Sequence, residues 1–368
     1  MKYYLIAGEA SGDLHGSNLV KQLHSKDARA EIRCWGGDLM AAAGAEVVKH
    51  YRDLAFMGFA EVVKNLPVIL RNIRFCKEDI LAWKPDVLVL IDYPGFNLRI
   101  ASWAKEQGLK VVFYISPQVW AWKEKRVIRM KQCIDKMLCI LPFEKTYYKE
   151  RWNWDVDYVG HPLVEVVNEA LAQYTPAPDR VKTIALLPGS RKQEISRKLP
   201  VMLEVAAHFP GYRFVVAMAP GQEEAFYTPF LQPYSNVAAV RNQTYSLLLQ
   251  SDAALVTSGT ATLETALLGI PEIVCYKGNN ISYQIAKRLI RIKYISLVNL
   301  IMDKPVVKEL IQHELTTANL VKELQSLLTD EQKRAVLKKD YADLKTLLSK
   351  EGNASERAAA IIYDFVTG

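Results

Sequence analysis

The sequence predicts an α/β protein built from two successive parallel-sheet domains. Three observations carry that prediction. Apolar runs that read as buried strands recur in both halves, each followed by a small-residue loop and a helical stretch. The 368 residues are enough for about two domains. Between the halves lies Tyr174-Thr175-Pro176-Ala177-Pro178-Asp179-Arg180, a Pro-rich linker after which the strand-helix rhythm restarts. The expected boundary therefore falls between 173 and 174.

Composition narrows the class. Half of the residues are apolar and 24% are charged, as in a soluble globular protein with real cores. The net charge of +7 is uneven, with one cluster at Lys123, Lys125, Arg126, Arg129, Lys131 and Lys136 and another at Lys287, Arg288, Arg291 and Lys293. Such patches suit nucleic acid, anionic lipid or phosphorylated metabolites, and equally suit solvated helix faces. The five cysteines are scattered without a CxxC pair, which points to a reducing compartment and away from a zinc site or disulfide framework. No signal-peptide core and no apolar stretch of about 20 residues is present, so a cytosolic chain is expected, with peripheral membrane contact left open.

In the first half, residues 3–7 read as a strand, followed by the loop Gly8-Glu9-Ala10-Ser11-Gly12-Asp13 and a helix over 14–23. The loop's glycines allow a ligand or a neighbouring helix to approach, but their spacing is not the dinucleotide pattern. A short strand at 33–37 and a small helix at 38–43 follow. Residues 54–75 are rich in large apolar side chains, with Lys64, Arg71 and Arg74 interspersed and a division near Pro67. That mixture fits a lipid-facing surface and also fits a helix packed on its sheet.

Residues 85–91 give a buried-strand signal that runs into Asp92-Tyr93-Pro94-Gly95-Phe96-Asn97. A carboxylate at the carboxyl end of a central parallel strand sits where such sheets bind substrates, so Asp92 is the general-base candidate; the alternative is a loop cap before the helix at 98–107. The strand at 109–115 ends in Ser116-Pro117-Gln118-Val119-Trp120-Ala121-Trp122-Lys123, two tryptophans ahead of a basic helix. They suit a sugar, a base or a headgroup, and equally suit packing. Strands at 136–141 and 156–159 flank a helix reaching 151. His161 has no metal-ligand spacing around it and reads as a loop hydrogen-bonder.

The second half opens on a strand at 183–187 that runs into Pro188-Gly189-Ser190-Arg191. A glycine turn and a helix start expose backbone N–H groups, and Arg191 adds a fork of donors matched to phosphate. The pattern is neither a Walker loop nor GxGxxG. A helix at 199–208, strands at 213–217 and 237–240, and a short helix at 245–250 follow. The strand at 253–256 ends in Thr257-Ser258-Gly259-Thr260-Ala261-Thr262-Leu263-Glu264, a second small-residue helix start able to accept phosphate, with Glu264 deeper, where a carboxylate can bind ribose hydroxyls. A strand at 273–276, a basic amphipathic stretch at 282–299 and helices beginning at 304–310 complete the chain. The one DxD spacing, Asp155-Val156-Asp157, is a weak metal signal on a short strand, and no metal or other cofactor is expected.

An acid on one domain and two phosphate-friendly loops on the other fit a transferase using an activated phosphorylated donor. The chain resembles bacterial lipid-A-disaccharide synthases, glycosyltransferases of GT-B architecture, in which two Rossmann-like domains face a central cleft. The residues that carry the likeness are Ala7 to Asp13, Met57-Gly58, Asp92 to Asn97, Ser116 to Trp122, Leu141-Pro142-Phe143-Glu144, Gly160-His161-Pro162, Leu187 to Arg191, Ser258 to Glu264 and Tyr294 to Asn299, in the same order. Gly95 departs from the pattern, which often has an acid there, and leaves Asp92 as the only acid of its loop.

The resemblance implies inverting transfer of diacylglucosamine from UDP-2,3-diacylglucosamine to 2,3-diacylglucosamine 1-phosphate, giving the β-1',6 disaccharide and UDP. It implies Asp92 as base, Arg191 with Ser190, Ser258, Gly259 and Thr260 at the UDP diphosphate, and Glu264 and Asn299 at the ribose or uracil. Glu9, Ser11, Gly12 and Asp13 would face that site from the first domain. Gln118, Trp120 and Trp122 would shape the acceptor region, with Lys123 and Arg126 as acceptor-phosphate candidates on charge and proximity. Two acylated substrates make Phe56, Met57, Phe59, Val62, Val63 and Leu66 the expected membrane or acyl contact, at the cytoplasmic face of the inner membrane. The sugar-nucleotide domain would span 174–340, and a helix within 341–368 would return to the first domain. The family further suggests a homodimer, with carboxyl-terminal exchange an arrangement the sequence does not establish. Two other readings stand beside this one: a UDP-N-acetylglucosamine 2-epimerase-type isomerase, and a nonenzymatic nucleotide- or RNA-binding protein using the basic run at 123–136, against the expectation of no nucleic acid.

Overall fold

A computed structural model of the chain describes residues 1–54, 66–176, 180–279 and 293–368. They form two compact units, residues 1–162 with 348–368, and residues 163–347.

Unit 1 carries the strands β1 (Lys2–Ala7), β2 (Glu31–Gly36), β3 (Glu46–His50), β4 (Val87–Ile91), β5 (Val111–Tyr114), β6 (Lys136–Cys139) and β7 (Asp157–Tyr158). They pair in parallel in the order β3-β2-β1-β4-β5-β6-β7. Apolar runs without polar alternation are what a sheet covered on both faces requires. Successive residues then feed opposite cores: Tyr4, Ile6, Leu88, Leu90 and Phe113 join one cluster, while Tyr3, Leu5, Val87, Val89 and Val112 join the other. The helices of this unit are α1 (Ala10–Lys26), α2 (Asp38–Ala42), α3 (Leu66–Trp83), α4 (Pro94–Glu106), α5 (Arg126–Cys133) and α6 (Pro142–Trp152). Pro67 sits in the first turn of α3, where its missing N–H costs nothing.

Unit 2 carries α7 (Leu163–Gln173), β8 (Thr183–Leu187), α8 (Lys192–Glu204), β9 (Arg213–Met218), α9 (Glu224–Leu231), β10 (Val237–Arg241), α10 (Thr244–Leu249), β11 (Ala253–Thr257), α11 (Thr260–Leu267) and β12 (Glu272–Tyr276). It continues through α12 (Leu297–Met302), β13 (Lys308–Ile311), α13 (Thr317–Thr329) and α14 (Glu331–Ser349). Its parallel sheet has the order β10-β9-β8-β11-β12-β13. Helix α7 precedes the Pro-rich run but packs on α11 and belongs to this unit.

The last helix, α15 (Ala354–Thr367), lies in unit 1 and packs along α1. Ala358, Ala359 and Ile362 are fully buried there, and Lys110 Nζ donates to the carbonyl of Phe365 at 2.9 Å. Residues 304–310, read from sequence as the start of helices, instead lead at their end into β13, whose pairing with β12 supplies the backbone partners that the short polar sequence could not advertise. Among the described residues no helix is long and apolar enough to cross a membrane.

Candidate active site

Each sheet places its first strand beside its fourth, so the connections leaving those two strands run to opposite sides and open a crevice at their carboxyl ends. In unit 1 Ala7 of β1 is level with Ile91 of β4. The residues that follow them are Gly8-Glu9 and Asp92-Tyr93.

Asp92 and Tyr93 both adopt left-handed backbone, with φ of 45° and 49°. Two consecutive non-glycine residues in that region store strain, at about 1–3 kcal/mol each, and need firm anchoring. The anchors are visible. The Asp92 N–H donates to the Tyr114 carbonyl at 2.9 Å, and the buried Asn97 donates Nδ2–H to the Asp92 carbonyl at 2.7 Å. Gly8 completes the fit, since a Cβ there would stand 2.3 Å from the Tyr93 ring. The Asp92 carboxyl is consequently held in a half-buried setting. Burial and, after it, the Glu9 carboxylate raise its pKa to about 6, against the opposing Tyr93 backbone N–H. It is a carboxylate at neutral pH, yet more basic than one in water.

The other residues of the first loop divide by role. Glu9 is the N-cap of α1 and Ser11 is exposed. Gly12 lets α1 close on β1, where an added Cβ would meet that of Ala7 at 3.1 Å. Asp13 is buried and accepts backbone N–H bonds from Gly37 (2.7 Å), Leu39 (3.1 Å) and Met40 (3.1 Å), so its carboxylate caps α2.

After β5 the chain turns through Ile115, at φ 69°, into the two tryptophans. Trp120 donates its Nε1–H to Glu144 Oε1 at 3.1 Å and stands edge-on to Phe143, with centroids 5.0 Å apart. Glu144 is fully enclosed, accepts the Leu141 N–H at 3.0 Å, and has its pKa raised to about 7 by burial. Trp122 is half exposed, with Lys123 Nζ 4.0 Å and the Arg126 guanidinium 5.8 Å from its ring centre. Gln118 is exposed beside them. The two tryptophans therefore differ: Trp120 is tethered to the unit, whereas Trp122 heads an exposed cationic cluster.

In unit 2 the corresponding crevice lies between β8 and β11. Gly189 turns at φ 113° and Gly259 at φ 151°, each just past its strand. A cavity of about 300 Å³ brings together Ser190, Ser258, Gly259, Thr260 and Glu264, residues more than sixty positions apart in sequence in the two loops. Ser258 Oγ donates to the Ile295 carbonyl at 2.8 Å, and Thr262 Oγ1 donates to the Gly259 carbonyl at 2.8 Å, which fixes the second loop. Glu264 accepts the Tyr245 hydroxyl at 2.7 Å, and burial raises its pKa. Arg191 is exposed at the N-cap of α8 and stands 3.9 Å from Glu194.

Asn299 has a different place. Its Nδ2 donates to the Val307 carbonyl (2.9 Å) and Glu309 Oε1 (3.0 Å), while its Oδ1 accepts the Val307 N–H (2.9 Å). That side chain braces α12 against the lead into β13 and does not line the cavity. Asp155 is exposed and paired with Lys149 at 2.8 Å, and Asp157 lies 3.9 Å from Lys136. Phe56, Met57, Phe59, Val62, Val63 and the side chain of Leu66 lie outside the described residues. On α3, Leu70, Phe75 and Leu81 are exposed apolar residues.

Sequence reading named Asn97 and Glu144 only as members of motifs, without a role, and missed the part of Tyr245; each of the three orients a neighbour. Glu144 also carries a local signal, as the acid two residues after Pro142, where it closes a helix start.

The chain matches the lipid-A-disaccharide synthetase family over residues 3–363. It is 38% identical to the lipid-A-disaccharide synthase of Geobacter metallireducens over 373 aligned residues, covering 98% of this chain and 96% of that protein. Solved structures of the same fold include the UDP-GlcNAc 2-epimerase of Neisseria meningitidis bound to UDP-GlcNAc (TM-score 0.70, 14% identity, all of both chains). The glycotransferase of kitacinnamycin is also similar (TM-score 0.68, 13% identity, 99% of both chains). Epimerase and transferase thus share this GT-B architecture, and the fold does not choose between them. The sequence does: with a family match along almost its whole length, the chain belongs to the lipid-A-disaccharide synthases, hexosyltransferases that form a disaccharide.

Proposed function

We propose that the chain transfers 2,3-diacylglucosamine from UDP-2,3-diacylglucosamine to the 6-hydroxyl of 2,3-diacylglucosamine 1-phosphate, with inversion at the anomeric carbon. The observation that carries the reading is Asp92: a carboxylate at the end of a central strand, on anchored left-handed backbone, with its pKa raised to about 6. Asp92 takes the hydroxyl proton as the oxygen bonds to the anomeric carbon and the bond from that carbon to the UDP oxygen breaks. UDP leaves with the electron pair. The β8 and β11 loops of unit 2 suit its diphosphate: Ser190, Ser258, Gly259 and Thr260 line the cavity and Arg191 stands at the adjoining N-cap as donors, and Glu264 on the same cavity suits ribose hydroxyls. Neighbours of this fold hold UDP-GlcNAc, which supports a UDP-sugar in the same crevice.

Glu9 is close enough to raise the pKa of Asp92, and the cluster of Trp122, Lys123 and Arg126 suits the acceptor's sugar and phosphate. Leu70 and Phe75, within the apolar sequence segment 54–75, are exposed on α3 and support work at the cytoplasmic face of the inner membrane, where acylated substrates reside. Family membership supports a homodimer, which light scattering would test.

The deciding assay supplies both acylated sugars, with and without magnesium, and identifies products by mass. Disaccharide and UDP are expected; UDP without disaccharide would favour the epimerase-type chemistry. Asp92→Asn should keep UDP binding and lower turnover by about 10²–10⁴-fold, the usual contribution of a positioned base. Near-normal turnover would remove Asp92 from that role.

A further inference from the structure

Two charged groups beneath the first anion loop of unit 2 have no part in the reaction as written. Glu194 and Lys198 both lie on α8, one turn apart. A Cβ built on Gly189 would stand 2.7 Å from Glu194 Oε2 and 3.6 Å from Lys198 Nζ, so the two side chains converge on the bend that leads out of β8. Glu194 also lines the cavity between the β8 and β11 loops and stands 3.9 Å from Arg191.

Glutamate followed four residues later by lysine is the spacing of an ordinary ion pair on a helix surface. Here the lysine is buried and only the glutamate is partly exposed. Lys198 is only 3% exposed, and among the described residues it makes no hydrogen bond or ion pair. Burial lowers its pKa, and the nearby Glu194 carboxylate pulls the other way. Taking most of an ammonium group out of water without a bonded partner is costly, which makes the space beside Gly189 a place where an anion is favoured. The Glu194 carboxylate leans into that space without closing on Lys198.

Resting on the donor site proposed above, we infer that Glu194 competes with the donor's diphosphate: its carboxylate holds the anion position over Gly189, and the incoming diphosphate displaces it and takes Arg191 and Lys198 as counter-charges. Lys198 thereby becomes a second cation for the leaving group, approaching from below the loop while Arg191 approaches from its rim. Return of Glu194 to Gly189 favours release of UDP. The exchange selects for a diphosphate, because one carboxylate must be displaced and two cations satisfied.

Calorimetric titration of the full chain with UDP, and with uridine as the phosphate-free control, tests the inference. Lys198→Met keeps length and shape and removes a buried charge, so it should fold at least as well as the natural chain. It should bind UDP about tenfold more weakly, the loss of one charge-assisted contact. Glu194→Gln should bind UDP about tenfold more tightly, since a competing charge is gone. Neither change should move uridine affinity. Equal shifts for UDP and uridine, or UDP affinities that match the natural chain in both variants, would overturn the inference while leaving the donor site standing. A natural chain that fails to bind UDP would overturn both.

Discussion

Asp92 draws its basicity from burial first and from Glu9 second. Those two causes can be separated. Under the proposed base role, loss of the proton from Asp92 makes it active, so kcat/KM should rise with pH and level off above about 6. Glu9→Gln removes the neighbouring negative charge, which lowers the Asp92 pKa and should carry the acid limb of the profile to lower pH. An unmoved limb would show that Glu9 does not act on the base. The same scale shows the limit of reading residues without coordinates. Asp92 was legible because a strand end is a position that sequence can locate. Asp13 and Asn299 stand in equally suggestive motifs, yet one caps α2 and the other braces α12, and only the geometry of their partners distinguishes a ligand-facing polar group from a backbone cap.

Central strands announced themselves, and so did the apolar edges β7 and β10, but the charged edges β3 and β13 did not. The β4 sequence VLVLI is apolar throughout because both faces are covered, while β3 (EVVKH) and β13 (KELI) end their sheets, carry charges and are half exposed. Helix α15 is the converse case, with an apolar face evident in the sequence whose destination is not. Ala358 and Ala359 let it approach α1 closely, and Ile362 enters the same cluster as Tyr3, Leu5 and Ala7. Ile362 is fully buried, so Ile362→Ala should cost roughly 2–5 kcal/mol as a large-to-small core change. The measurement is denaturant unfolding followed by probes in unit 1. A loss well under 1 kcal/mol would mean that the helix adds little to that core.

The two units share a strand order, but their buried titratable groups differ, and this gives the molecule a testable acid response. In unit 1 the shifts oppose one another. His15 and His161 are buried and held neutral, with pKa values lowered to about 4 and about 3, while Asp92 and Glu144 are raised to about 6 and about 7. As pH falls from neutrality, the unfolded chain gains protons at the histidines that the folded unit refuses, and the folded unit gains protons at the carboxyls that the unfolded chain still lacks. The contributions to stability have opposite signs.

Unit 2 has no such balance among its carboxyls: burial raises Glu264 and, well above the ordinary range, Glu272. Glu272 opens β12 with neither carboxyl oxygen hydrogen-bonded among the described residues. Between the ordinary glutamate value and its raised one, the folded unit holds a proton that the unfolded chain has released, so unfolding free energy increases as pH falls through that window. Lys198 pushes the other way in its own window, because the unfolded chain holds the proton more tightly. Glu272→Gln isolates the first contribution: the amide mimics the protonated acid at every pH. It should stabilise unit 2 at pH 8 by about 1–3 kcal/mol, the scale of one unsatisfied buried group, and the gain should shrink as pH is lowered toward 5. Hydrogen exchange resolved by unit would measure it, and a gain independent of pH, or none at pH 8, would show that Glu272 is not the group that titrates.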